Sequence, residues 1–427
     1  MDEVTRALAP AMAEFVQWTL ESALRRGISR LYFLSRDGWT PWRMASLFCR
    51  EWRLPLECRY LYGSRRAWRL PLYHRDPSRA VEQLCAGPAV IPGAVLEGAG
   101  LSPEERREVL FRLGIPGEEP VPWDQREGFS LALLECPLFQ ELLDSRSRWA
   151  LPLLLGYLSQ EGLLDGEDWA LVDSGWMGTT QETLGETLSL LGGPGKVRGL
   201  YAGLYRAPDR GAWDACFFRP GRELSLQAKF EPSLWEAISA APQGMTLGYS
   251  CRDGEFYPLL GQPPLTAWRT ARLGDAFLRY AKELARSGWM GGRDSDRGAA
   301  SLVQVMTRPT LAQARELGAL PFSPRAVEGS AGRLAPWVDW EGQDPGGLLP
   351  RLLGRREELP SPWMPGSAAL YSVHPQREFR ALNRRRWARV LSLAWRYPVK
   401  RREGSSWKKG ESGDSIGSSS NSSPCGS

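Results

Sequence analysis

Histidine is nearly absent. The 427 residues hold two, His74 and His374, and neither has a second metal-type ligand at helical or hairpin spacing, which argues against a histidine-built metal centre. No GxSxG elbow occurs to position a nucleophilic serine beside them. The seven cysteines (Cys49, Cys58, Cys85, Cys136, Cys216, Cys251, Cys425) are scattered and include no CxxC, so neither a disulfide framework nor a thiolate zinc site is suggested. Lysine does not occur before Lys196. No apolar run reaches the roughly eighteen residues a membrane-spanning helix needs. The opening "MDEVTRALAPAMAEF" carries early acids in place of the basic start of a secretory signal. The expected location is the cytoplasm.

What is present is enough to build a core: 42% of residues are hydrophobic, and the length suits two domains or one large α/β domain. The net charge of +5, from 54 basic and 49 acidic residues, is too small a bias to identify a partner. Acid/base work must fall to carboxylates, arginines or a bound cation.

Apolar positions at Leu8, Met12, Phe15, Val16, Leu20 and Leu24 repeat at the helical period, which predicts a helix over 2–26 ended by Gly27. "ISRLYFL" then reads as a fully buried parallel strand. "TPWRMASLFCREW" reads as a helix with Thr40 as N-cap and Pro41 at its first position. "LECRYLYGSRRAW" reads as a second strand ending in Ser64, Arg65 and Arg66, so the order predicts a βαβ unit. Residues 78–148 look mainly helical, with a capped helix from Ser102 to Gly114. A strand over 169–172, a helix from Thr179 and a strand within 196–206 continue the sheet. Helices follow at 266–286 and 297–318, joined by a Gly-rich loop at 288–298. The expected fold is α/β, a Rossmann-like, mainly parallel sheet. Residues 1–260 form a phosphate-binding domain with a helical insertion at about 78–160, and 261–402 a helical and irregular region. The serine-rich 403–427 is expected to be a disordered tail.

Three strand ends carry polar clusters. In an open parallel sheet, ligands sit beyond the carboxyl ends of the strands, where helix N-termini favour anions. "SRDG" places Ser35, Arg36, Asp37 and Gly38 there. "GSRRA" offers Ser64 as a donor and Arg65 or Arg66 as a bidentate clamp on an oxyanion. In "VDSGWMGTT", Asp173 leaves the strand, Ser174 follows it, Gly175 and Gly178 permit close backbone approach, and Thr179 or Thr180 caps the next helix. Each cluster has a plainer reading as a helix cap. Taken together they suggest a phosphate site in which Asp37 and Asp173 hold magnesium and substrate phosphate completes its shell. Of the tryptophans, Trp39 and Trp176 lie inside these loops and offer stacking faces for a sugar or, equally, core packing.

"LYFLSRDGW", "YLYGSRRA", "ALVDSGWMGTTQ" and "WEAISAAPQGMTLGY" resemble the region shared by bacterial haloacid-dehalogenase-like (HAD) hydrolase-type proteins of cell-surface polysaccharide clusters. The resemblance spans roughly residues 5–325. It implies a substrate that is a phosphorylated or nucleotide-linked sugar, with glycosyltransferases as partners. It also makes Glu236 a candidate general acid/base, beside its reading as a solvated helix glutamate. Ser64 and Asp173 match the family's second and fourth motifs. Ser35 stands where the nucleophilic Asp belongs, with Asp37 as the second acid, and the third-motif lysine is missing. Phosphate binding is therefore expected more firmly than phosphatase activity. "ALVDSGWMGTTQETL" is also similar to the ribose-phosphate loop of phosphoribosyltransferases, with Ser174 replacing its second carboxylate. A third possibility is a non-catalytic phosphate pocket that serves as a scaffold for glycosyltransferases.

Residues 376–398 predict a basic amphipathic helix, with seven arginines around Phe379, Leu382, Val390, Leu391 and Trp395. It could make a peripheral contact at the inner membrane face, with Trp387 and Trp395 at the interface. It could equally pack on the domain with its arginines in water. Nucleic acid is a less favoured partner, since no recognisable module accompanies the charge.

Overall fold

The computed structural model describes residues 1–86, 89–193, 195–288, 296–322, 332–340 and 360–396. Its centre is a five-stranded, wholly parallel sheet of β1 (Arg30–Leu34), β2 (Glu57–Leu61), β3 (Trp169–Trp176), β4 (Gly199–Leu204) and β5 (Trp213–Phe218), in the order β2-β1-β3-β4-β5. The α/β class and the parallel sheet are thus as the sequence predicts. Every residue of β1 is buried, as a central parallel strand covered on both faces requires. Leu31 and Phe33 enter the core on one face, Tyr32 and Leu34 that on the other.

On the first face lie α1 (Glu3–Arg25), α2 (Trp39–Glu51) and several later helices. Asp2 caps α1 by accepting from Thr5 N at 2.7 Å. After β2 come α3 (Arg65–Arg69), α4 (Pro77–Leu84), α5 (Pro92–Gly98), α6 (Pro103–Leu113), α7 (Arg126–Glu135) and α8 (Pro137–Gln160), the last leading back to β3. This helical insertion has its own hydrophobic cluster, including Val81, Leu96, Val109, Leu133 and Phe139. α6 carries the expected Ser102 cap, with Glu105 closing a capping box and Gly114 at φ 65° ending the helix. α9 (Thr179–Ser189) joins β3 to β4, and α10 (Leu224–Lys229) and α11 (Pro232–Ser239) follow β5.

Several boundaries differ from expectation. Gly38, not Thr40, is the N-cap of α2, because the chain turns directly off β1 with Gly38 N donating to Leu34 O at 2.7 Å. A Cβ at Gly38 would lie 2.5 Å from that carbonyl, so no other residue fits without a shift. β2 ends at Leu61, and Ser64 instead caps α3. Asp173 does not leave its strand: β3 runs on to Trp176, paired with Leu204 of β4. Gly178, at φ 67°, caps α9 in place of Thr179 or Thr180, which are its first two residues. β5 and the antiparallel hairpin of β6 (Thr246–Arg252) and β7 (Glu255–Leu260) were not anticipated.

α12 (Ala267–Arg286) matches its prediction, whereas the helix expected over 297–318 divides into α13 (Asp296–Thr307) and α14 (Leu311–Leu317). Pro309 cannot continue a helical hydrogen-bond ladder, and Thr310 restarts it with a capping box to Gln313. α15 (Met364–Tyr371) and α16 (Pro375–Arg396) close the described chain. α16 buries Phe379, Ala381, Leu382, Arg385 and Val390, and Arg386 pairs with Glu231 at 2.9 Å. Arg377, Arg380, Arg384, Trp387 and Leu391 are exposed. Among the described residues no helix is long and apolar enough to cross a membrane. Most of the 288–298 loop and all of the 403–427 tail lie outside the described residues.

Candidate functional site

The strand order reverses direction at β1 and β3: the chain leaves β1 for β2 on one side and then crosses to β3 on the other. Such a switch point opens a crevice beyond the carboxyl ends of the two strands. Asp37 lies three residues past the end of β1. The pairing of Phe33 with Val172 sets Asp173 beside that end. Glu236 reaches the same place from α11, whose following turn is pinned to the β1 loop by Ala241 N donating to Arg36 O at 3.0 Å.

The three carboxylates are closely surrounded by protein yet retain some solvent contact. Burial raises Asp37 above its ordinary value, against the opposing pull of Arg36, Ser174 and Arg65. Asp173 is pushed up to about 7 by burial and then by the charge of Asp37, while the backbone N–H groups of Ser174 and Gly175 and the Arg65 charge oppose the shift. Glu236 is pushed up to about 8 by burial and by Asp37, with a smaller contribution from Asp173. The indole N–H of Trp176 donates to Glu236 Oε1 at 2.7 Å and works the other way. Asp173 and Glu236 thus both feel the charge of Asp37, and Arg65 acts on all three. Clustered titratable groups with shifts of this size are characteristic of functional sites.

Other expected site residues have different employment. Ser35 Oγ donates to Gly63 O at 2.8 Å, accepts from Gly63 N at 3.2 Å and faces Thr246 Oγ1 at 3.3 Å. Ser64 Oγ donates to Thr246 O at 2.7 Å and accepts from Ala67 N at 3.0 Å. Both hydroxyl protons are committed to the protein, so neither serine is free to donate to a phosphate as the sequence reading supposed. The Ser174 hydroxyl is buried and completes no hydrogen bond, although it lies near enough to Asp37 to favour its ionised form.

Gly175, at φ 106°, has the backbone an L-residue avoids, and a Cβ there would stand 2.4 Å from Gly203 O. Arg36 lines a cleft of about 300 Å³, counted to its open mouth, with Ala241, Pro242, Pro264 and Phe322. Arg65 is exposed on α3 and Arg66 half-buried. Thr179 and Thr180 sit half-buried in the first turn of α9, which has no side-chain cap.

Sequence reasoning missed two phenols. Tyr60, beside Asp37, is buried and accepts from Gln243 Nε2 at 3.0 Å. Tyr201, beside Asp173, is wholly buried and donates to Gln181 Oε1 at 2.5 Å. Burial, reinforced by nearby anionic groups, keeps both protonated. As strand aromatics they carry no sequence signal that separates them from ordinary core. Trp39 meets Tyr60 edge-on and lies tilted against Trp42 in an aromatic cluster.

Among the described residues no group of three or more His, Cys, Asp and Glu side chains is arranged to hold a metal unaided. The pair Asp37 and Asp173 nonetheless suits magnesium, which takes one or two carboxylates and completes its shell with water and phosphate oxygens. The mutual repulsion that raises Asp173 would be relieved by a cation between them. Comparison with protein-family models and with curated proteins finds no match.

Proposed function

We propose that this chain binds a phosphorylated or nucleotide-linked sugar beyond the ends of β1, β2 and β3, and moves its phosphoryl group with magnesium held by Asp37 and Asp173. The observation that carries this reading is the convergence of Asp37, Asp173 and Glu236 at the β1/β3 switch point, with Arg65 acting on all three. The bound cation supplies charge neutralisation and polarisation of the phosphoryl oxygen. Arg36 and Arg65 orient the phosphate, joined by the uncapped first turn of α9. Glu236 is the proton carrier.

The resemblance to HAD-like proteins of cell-surface polysaccharide clusters supports the same substrate class and a cytoplasmic setting. Asp37, Ser64 and Asp173 stand after or within adjacent strands in the order that resemblance implies. A phospho-enzyme route does not fit, because the Ser35 hydroxyl in the nucleophile position is bound to Gly63. Phosphoryl transfer would therefore run directly to water or to an acceptor hydroxyl.

The engagement of Ser35 also favours a second reading, a ligand pocket without turnover that acts as a scaffold for glycosyltransferases. Phosphate release and transfer assays on sugar phosphates and nucleotide sugars separate the two. Turnover that depends on magnesium and is lost in Asp37→Asn and Asp173→Asn supports the enzyme. Binding without turnover supports the scaffold, and unchanged turnover in both variants refutes the assignment.

A further inference from the structure

Cys49 and Cys58 belong to no CxxC motif, yet the fold sets them against each other. Cys49 lies in the last turn of α2, and Cys58 is the second residue of β2. Their Sγ atoms are 3.7 Å apart, within reach of an S–H donating to the other sulfur. Backbone hydrogen bonds hold both residues. Leu54 N donates to Cys49 O at 2.9 Å in the turn that leads from α2 to β2, and the Trp42 indole N–H donates to Cys58 O at 3.1 Å. Cys58 is also in register with Leu31 of β1. The sulfur contact is therefore a product of how α2 packs on β2. Cys49 is 9% exposed, and Cys58 is half-buried on the edge strand of the sheet, so the pair lies just beneath the surface. The contact favours a thiolate on one sulfur at the expense of the other: it holds Cys49 below the usual thiol range and, with burial, pushes Cys58 up. The thiolate is the form that reacts.

We propose that Cys49 and Cys58 are a modification site, a redox-active dithiol that closes to an intramolecular disulfide joining α2 to β2. The co-reactant is a low-molecular-weight disulfide such as glutathione disulfide. The thiolate of one cysteine attacks a sulfur of the small disulfide, whose S–S bond breaks; its leaving half departs with the electron pair and takes up a proton. The second cysteine, once deprotonated, attacks the protein sulfur of the mixed disulfide, and the other half leaves in the same way. Two cysteine thiols are oxidised, one small disulfide is reduced to two thiols, and the protein loses two hydrogens. The inference is independent of the phosphoryl-transfer reading, although it concerns neighbouring structure. α2 begins directly after Asp37 and Gly38, and β2 leads on to Arg65, so the new bond ties together the two elements that carry those groups.

The test uses the full chain, reduced and then exposed to glutathione disulfide while folded. After remaining thiols are blocked, trypsin releases Cys49 in residues 44–50 (MASLFCR) and Cys58 in residues 54–59 (LPLECR). The expected product is these two peptides joined, two hydrogens lighter than their sum, and parted again by dithiothreitol. Of Cys49→Ser and Cys58→Ser, the variant that keeps the attacking thiol should accumulate a mixed disulfide with glutathione at that residue, because the resolving thiol is gone. The oxidised wild type should melt no lower than the reduced one, since the bond closes a contact the fold already makes. Peptides that stay unlinked while the exposed Cys251 is modified would overturn the proposal and leave the pair as small apolar packing. Mixed disulfide in neither variant, or a melting temperature lowered by closure, would overturn it as well.

Discussion

Ser35 Oγ donates to the carbonyl oxygen of Gly63 at 2.8 Å and so ties the end of β1 to the end of β2. The position that a phospho-enzyme mechanism would give to a nucleophile is thereby a structural fastening, which leaves the proposed chemistry to Asp37, Asp173 and Glu236.

Ser64→Ala removes both the cap of α3 and the bond to Thr246 O. The expected cost is about 1–2 kcal/mol in urea unfolding, with the response to phosphate ligands unchanged. Unaltered stability together with a lost phosphate response would return Ser64 to a binding role.

Gly175→Ala places a Cβ against Gly203 O in a backbone that disfavours it. It should destabilise the chain by about 2 kcal/mol or more, read as a fall in melting temperature. A neutral effect would mean that the end of β3 can relax away from β4.

Asp173 binds its proton more tightly in the folded chain, about 7 against an ordinary 3.8. The folded state therefore holds the extra proton between those values, and stability from this group falls as pH rises through that window. In metal-free buffer the melting temperature of wild type relative to Asp173→Asn should decline from about pH 4 to about pH 7. Magnesium should flatten the upper part of that decline. A constant difference across the window would show that Asp173 titrates normally.

Arg386→Ala removes the ion pair to Glu231, in which the side chains are only 13% and 21% exposed. An expected loss of about 2 kcal/mol, read from the urea midpoint, would mark α16 as an integral part of the fold, docked at the start of the helix that bears Glu236. No loss would mark that contact as incidental.

Much of this arrangement is legible in the sequence where local chemistry and tertiary context agree. The unbroken apolar run before Ser35 gives a central strand, and Ser102 with Glu105 gives a capped helix. Context overrides local signals elsewhere. Asp173, Ser174 and Gly175 look like strand breakers, yet pairing with β4 carries β3 through to Trp176. Thr40 looks like a cap, but the tight turn through Gly38 starts α2 earlier. The Asp253-Gly254 pair, with both residues at positive φ, is a hairpin signal that was available for β6 and β7. Of the site, Asp37, Asp173 and the arginines could be nominated from strand ends, and Glu236 only through the resemblance. The Trp176 to Glu236 bond could not, because it joins residues sixty positions apart.

The most direct test of the site is thermal unfolding of wild type and Asp173→Asn with magnesium alone, sugar phosphates alone, and both together. A ligand that binds the folded state raises its melting temperature by mass action. The account predicts a magnesium-dependent rise with sugar phosphates in wild type that Asp173→Asn abolishes. No rise with any of these additions, or an equal rise in the variant, would contradict a phosphate site built on Asp37 and Asp173.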